Sequence, residues 1–227
     1  MVVPCFDEER RLLIALETAE RHLEPGARSF ELILVDDGSS DGTSALIQEA
    51  ERRRAYVRGI RLPHRGKGRA VVEGVRASRG EMVLISDVDF SAPIDELPKL
   101  ETAVAAGADL AIGSRAAPGA RELDQPLYRR AMGKTFNLLV QALLLPGIWD
   151  TQCGFKLLRG EVARELCADL RTDGFAYDVE LLYRARRAGY RVCEVPVRWI
   201  NSDTTRVSAL RDPLLMFADL LRIRFRR

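Results

Sequence analysis

"ELILVDDGSSDGT", residues 31–43, is the stretch on which the fold turns. Leu32, Ile33, Leu34 and Val35 make a run of β-formers that reads as a buried strand. It empties into Asp36 and Asp37, passes a Gly/Ser turn and enters a helix, which Ser39, Ser40 or Asp41 can cap. Strand, polar turn and helix make half of a βαβ unit, and the rest of the first half repeats the pattern. Strands are expected over Met1–Pro4, Phe30–Val35, Val57–Leu62, Glu81–Ser86 and Asp109–Gly113. Helices are expected over Glu8–Leu23, Gly42–Arg53, Gly68–Ala77 and Ile94–Ala105. Such alternation implies an α/β fold with a mostly parallel central sheet flanked by helices, in a single domain.

Parallel sheets bind ligands at the carboxyl ends of their strands. The unusual polar clusters fall at such ends: Phe6-Asp7-Glu8, Asp36-Asp37-Gly38, His64 to Gly68, Asp87-Val88-Asp89 and Ser114-Arg115. A carboxylate at a strand end can accept hydrogen bonds from a base or a ribose, which makes Asp36 and Asp37 candidate nucleotide ligands. "HRGKG" (64–68) lacks the spacing of a P-loop. It still offers two glycines for close backbone approach, a helix start that favours anions, and the cations Arg65 and Lys67. Asp87 and Asp89 carry the most weight. Two carboxylates at i and i+2 on an extended chain point the same way and repel each other. A hard divalent cation, Mg²⁺ or Mn²⁺, removes that penalty and adds substrate phosphates to its ligands.

Composition narrows the choice. A net charge of +2 argues against nucleic acid as a partner. No apolar run reaches the length of a membrane span. Cys5, Cys153, Cys167 and Cys193 follow no metal-ligand spacing and read as reduced thiols of a cytosolic compartment. A dinucleotide-dependent dehydrogenase is excluded because no GxGxxG follows the first strand. That strand is already under way at Met1, so its beginning is expected upstream.

Beyond residue 115 the pattern changes. A polar, turn-rich stretch, 116–125, is expected to be a mobile lid. Helices follow near Leu127–Leu145, Gly160–Ala168 and Asp178–Ala188, then a strand over Arg191–Trp199.

Taken together, "VVPCFDEE", "VDDGSSDGT", "GKG", the D-x-D at Asp87 to Asp89 and "GSR" resemble the family-2 glycosyltransferases over nearly the whole chain. "QPLYRRAMGKTFNLLV", "DTQCGFKLLRG" and "YDVELLYRARRAGYRVCEVPVRW" are most similar to the branch that glucosylates dolichyl phosphate, and the mannose synthases of the same lipid are also similar. The resemblance implies a GT-A-type nucleotide-diphospho-sugar transferase fold, a metal-dependent reaction and inversion at the anomeric carbon. It implies that Pro4, Phe6, Asp7, Glu8 and Asp37 frame base and ribose, and that Asp87 and Asp89 meet metal and diphosphate. Residues 1–115 would be the nucleotide-sugar half and 116–227 the acceptor half. Asp7 departs from the family's usual Asn, and His64 stands where Asn is frequent.

Chemistry helps to choose the acceptor. An alcohol needs a base, whereas a phosphate monoester needs positioning and compensating charge. Arg115, Arg121, Arg129, Arg130 and Lys134 supply the charge, with Arg130 and Lys134 on one helix face. A lipid phosphate is therefore expected as acceptor, with UDP-glucose as donor on the branch resemblance and GDP-mannose as its competitor. Asp150, Gln152, Asp178 and Glu180 are candidates for sugar hydroxyls or for a base; Asp178 is preferred, and Gly154 is placed with Gln152 at the sugar. "PLLMFADLLRIRFRR" reads as an amphipathic basic helix on the cytoplasmic face of a membrane, attached peripherally or through a partner. The alternatives are a hydroxyl-directed transferase of polysaccharide synthesis and a nucleotide-sugar-binding subunit without turnover.

Overall fold

Buried at every position, the stretch LILVD forms β2 (Leu32–Asp36). The computed structural model describes residues 1–23, 29–123, 126–201 and 211–226. β2 lies between β1 (Val2–Cys5) and β3 (Val57–Arg61), parallel to both, with Val35 opposite Pro4 and Ile60. The intervening helices are α1 (Glu9–Leu23) and α2 (Thr43–Arg53). After β3 the chain runs through α3 (Lys67–Ala77) to β4 (Met82–Ile85), which joins the other side of β1. The sheet order thus reverses between β1 and β4, a switch point at whose carboxyl end an open α/β sheet takes its ligand. A 3₁₀ turn (Ile94–Glu96) and α4 (Leu97–Ala105) lead to β5 (Leu110–Ser114).

Two elements differ from the sequence reading. β7 (Lys156–Arg159) was not expected as a strand; it runs antiparallel between β4 and β5 in the mostly parallel sheet. Its four residues are too few to carry a period, and a buried lysine heads them. The strand expected over Arg191–Trp199 is two strands. β8 (Val192–Pro196) extends the main sheet beside β5, and β9 (Arg198–Ile200) pairs with β6 (Arg121–Leu123). Pro196 has no N–H to continue the ladder, and the chain crosses sheets there. β6 lies in the stretch read as a lid, so 121–123 are held in a ladder; Asp124 and Gln125 lie outside the described residues. Among the described residues the main sheet has seven strands, ordered β3-β2-β1-β4-β7-β5-β8.

The alternation of side chains along each strand divides the core. Val2, Ile33 and Val35 face α3, together with α6 (Gly160–Ala168) and α7 (Tyr177–Arg187). Val3, Leu32 and Leu34 face α1 and α2, and Leu84, Phe155 and Leu157 face α4. α5 (Leu127–Leu143) packs with α8 (Arg211–Phe225) at the far edge. The helices expected at 160–168 and 178–188 are present, the second starting one residue earlier.

Candidate active site

The turns after β1 and β2 are stapled together. Asp7 takes a left-handed φ of 52°, a conformation in which Asn and Asp are enriched. Its N–H donates to Ser39 Oγ at 2.9 Å, and its Oδ1 accepts the Ser40 N–H at 2.8 Å. Asp41 accepts the N–H of Thr43 (3.0 Å) and of Glu9 (3.2 Å), and so ties the starts of α1 and α2. Asp36 Oδ1 accepts the Ser39 N–H at 2.8 Å. Asp36 Oδ2 is buried without a hydrogen bond among the described residues, with Arg61 Nε 3.8 Å away. Pro4 stays within β1, opposite Val35.

Asp37 organises the HRGKG loop. Its carboxylate accepts the N–H of Arg65 (3.0 Å) and Gly66 (2.8 Å), and His64 Nδ1 stands 2.8 Å from Oδ2. The His64 ring stacks on Phe6, centroids 4.2 Å apart and planes 22° apart. Gly66 sits at φ 127°, where a Cβ would meet the Asp173 carbonyl at 2.5 Å. Glycine there lets the loop lie on the segment before α7 and deliver Lys67 to Asp87, Nζ to Oδ1 2.6 Å.

Asp87 and Asp89 do not sit on an extended strand, as the spacing suggested. β4 ends at Ile85 and the chain turns, the Phe90 N–H donating to the Asp87 carbonyl while Phe90 takes a φ of 45°. Asp89 Oδ1 accepts the Ser91 N–H at 3.0 Å, and its Oδ2 faces Arg11 at 3.8 Å. Arg11 in turn forks onto Glu8, both bonds 2.6 Å. Asp87 lies flat on Gly154. Burial pushes the Asp87 carboxyl up, but the charge and hydrogen bond of Lys67, with Lys156 and Arg115 further off, hold it below the usual carboxylate range. Among the described residues no group of three metal-binding side chains stands together. Two carboxylates at a turn would suit a hard cation that takes its remaining ligands from water and a phosphate.

At the end of β5, Arg115 gives Asp150 a fork, Nε to Oδ2 2.7 Å and Nη2 to Oδ1 2.9 Å, and its own N–H at 2.8 Å. Burial raises the Asp150 carboxyl, and Arg115 outweighs it and keeps it low. The Arg115 guanidinium lies over Trp199, 5.3 Å from the ring centre, and Trp199 also lines a small cleft with Asp87 and Gly154. A 460 Å³ cavity opens beyond, lined by Arg115, Arg130, Lys134, Asn137, Asp150 and Gln152, among others. Arg130 and Lys134 do share a face of α5, and Glu122 holds Arg130 at 3.1 Å. Arg121 stands on β6 outside the lining. The side chain of Arg129 lies outside what is described.

Asp178 is only 3% exposed, and its Oδ1 accepts Lys156 Nζ at 2.5 Å, with Lys156 wholly buried. The same ammonium donates to the Cys153 carbonyl, also at 2.5 Å. Glu180 accepts the Thr172 N–H at 2.8 Å. Both carboxylates are thus committed inside the protein. Lys156 was missed from the sequence. The chain has four lysines, and one in an apolar run was the available signal for it.

The glycosyl transferase family 2 profile matches residues 1–167. Dolichyl-phosphate beta-glucosyltransferase of Mus musculus is 36% identical over 241 residues, covering 100% of this chain and 74% of its own. The enzyme of the same name from Dictyostelium discoideum is 33% identical over 240 residues, covering 100% and 73%. Among solved structures, glucosyl-3-phosphoglycerate synthase from Mycobacterium tuberculosis, in complex with Mn²⁺, UDP and phosphoglyceric acid, superposes with a TM-score of 0.70. It is 18% identical and covers 98% of this chain and 75% of that one, a likeness of fold. The expected GT-A fold is borne out. With a family profile spanning well over half its length and full-length relatives above 30% identity, the chain belongs to glycosyl transferase family 2 and is a glycosyltransferase.

Proposed function

We propose that this enzyme transfers glucose, with inversion, from UDP-glucose to the phosphate of a polyprenyl or dolichyl lipid. The observation that carries the reading is the cavity beyond Arg115. It gathers Arg115, Arg130 and Lys134, and the two carboxylates in its lining, Asp150 and Glu122, are each held by an arginine. Such a wall suits an acceptor that arrives as an anion and needs no base. Arg115, Arg130 and Lys134 orient the phosphate so that an oxygen attacks C1 and the nucleoside diphosphate leaves. Lys67 is placed to meet that diphosphate. Asp87 and Asp89 would hold Mg²⁺ or Mn²⁺, which supplies positive charge to the leaving group. The Phe6–His64 stack and the Asp36 and Asp37 carboxylates lie on the side assigned to the base and ribose, so residues 1–115 serve the donor and the rest serve the acceptor. The names of the relatives support both glucose and the lipid phosphate.

Among the described residues no helix is long and apolar enough to cross a membrane. α8 nonetheless exposes Leu214 (73%), Leu215, Phe217 and Phe225 beside Arg222 and Arg224, and we assign it to the cytoplasmic surface of a membrane. Arg227, at the end of the expected segment, lies outside the described residues.

The test is transfer from UDP-glucose to a short polyprenyl phosphate with Mn²⁺, run beside GDP-mannose and beside the corresponding polyprenol. Product from UDP-glucose and the phosphate alone is expected, and Asp89→Ala should abolish it while leaving the folded state intact. Turnover with the alcohol, or equal turnover by the variant, refutes the reading.

A further inference from the structure

We propose that Glu194 is the positioning residue of the acceptor cavity, an inference that rests on reading the cavity as the acceptor site. β8 carries Glu194 beside Ile112 of β5. From there one carboxylate collects donors from both walls of the cavity. Oε1 accepts Ser114 Oγ at 2.8 Å and the Asp150 N–H at 2.9 Å, and Oε2 accepts the Trp149 N–H at 2.8 Å. Each wall then passes the constraint on. The Ser114 oxygen accepts the N–H of Ala117 (3.1 Å) and Ala116 (3.3 Å), which sets the turn after β5. Asp150 grips Arg115 through three bonds. Trp149, a residue 58% exposed, and Arg115 both line the cavity, while Glu194 does not.

Hydrogen bonds to an ionised acceptor are shorter and stronger than neutral ones, so one charge holds two loops in register. A residue that only tied strands together would bond the ladder; this one reaches past β5 to the corner at 149–150. Arg115, one of the cavity's cations, is therefore aimed in two steps, Glu194 to Asp150 and Asp150 to Arg115.

Glu194→Gln separates positioning from folding. The amide oxygen can keep the Ser114 and Asp150 donors, whereas the amide NH₂ replaces Oε2 and meets the Trp149 N–H, donor against donor. The chain has two tryptophans, and Trp199→Phe leaves Trp149 as the sole tryptophan, read by excitation that spares tyrosine. In that background we expect Glu194→Gln to lower Trp149 anisotropy and to weaken inorganic phosphate, titrated by fluorescence, about tenfold, the order of one lost hydrogen bond to a charged group. With lipid phosphate and Trp199 intact, the acceptor KM should rise about tenfold while kcat and the donor KM stay within about twofold. Ser114→Ala, which keeps the 149–150 bonds, should move these values less. Unchanged anisotropy overturns the proposal. So does a loss of donor and acceptor parameters in step with a fall in thermal midpoint, which marks a fold tie. If the wild type uses no lipid phosphate, the functional reading fails, and the anisotropy and phosphate titrations still decide the role of Glu194.

Discussion

Replacing Gly154 by alanine should strike the site through a single contact. A Cβ there would stand 2.2 Å from Asp87 Oδ2, 2.6 Å from Cγ and 2.8 Å from Oδ1. Gly154 is not in the left-handed region, so the substitution adds no backbone strain and its cost is steric. The Asp87 side chain is short and must rotate off Lys67, giving up a 2.6 Å ion pair. Overpacking of this kind costs about 1–3 kcal/mol. The pair is partly solvated, 21% and 34% exposed on its two sides. Its loss adds about 0–1 kcal/mol. A total near 2 kcal/mol, at about 2–4 °C per kcal/mol for a chain of this size, lowers the thermal midpoint by about 4–8 °C. Urea unfolding and calorimetry of four proteins give the decisive cycle: wild type, Gly154→Ala, Asp87→Ala and the double variant. If Asp87 is what the methyl strikes, Gly154→Ala should cost less than about 0.5 kcal/mol once Asp87 is alanine. The same cost of about 2 kcal/mol in both backgrounds would refute the reasoning. Mn²⁺ affinity of the single variant, read by electron paramagnetic resonance, should fall, because the displaced carboxylate no longer stands with Asp89.

Three further outcomes follow from the charges. Lys156→Met leaves Asp178 buried and unpaired and should cost about 3–5 kcal/mol in urea, most of it recovered by adding Asp178→Leu. Asp87 and Asp150 titrate below the ordinary carboxylate value when folded, so the unfolded chain binds more protons and stability rises with pH through that range. That contribution is complete above about pH 4 and drains away as pH falls through the depressed folded values. Asp87→Asn with Asp150→Asn should flatten the dependence of urea midpoint on pH there, and an unchanged slope would assign it to other groups. Leu214→Glu with Phe217→Glu should release the protein from vesicles rich in anionic lipid in a flotation assay, while transfer to a water-soluble short-chain phosphate persists; continued flotation removes α8 from the membrane.

The sheet and its helices were legible because a buried strand that ends in a polar turn announces itself locally. Leu32–Asp36 needs no partner to be recognised, and the helices after it carry their own apolar period. β7 was not legible. Its place between β4 and β5 follows from long-range pairing, and Lys156, which would veto a buried strand by its residue type, is tolerated because Asp178 and the Cys153 carbonyl neutralise it. The acids after the strands stood out for a similar reason, since each breaks a buried apolar run. What each acid touches was not visible. Asp37 and Glu180 spend their oxygens on backbone N–H groups of other segments, and no spacing along the chain encodes that.

The same contacts reveal how the site rests. Asp87 faces Lys67, Asp89 faces Arg11, Asp150 faces Arg115, Asp178 faces Lys156 and Glu122 faces Arg130. If the proposed function holds, a pocket that takes a doubly charged diphosphate and a phosphate monoester would, with its cations bare, repel itself and attract any passing anion. Pairing removes both problems, and it makes ligand binding an exchange of partners. The pairs are not equally exchangeable. Lys156 and Asp178 are sealed from water, so parting them exposes no compensating solvent. Lys67–Asp87 and Arg130–Glu122 keep contact with solvent and are cheap to part. Under the proposed function, these exchangeable pairs stand at the two places where charge has to arrive, one on the donor side and one in the acceptor cavity. The sealed pair fixes the frame on which Asp87 and the 153–156 segment are held.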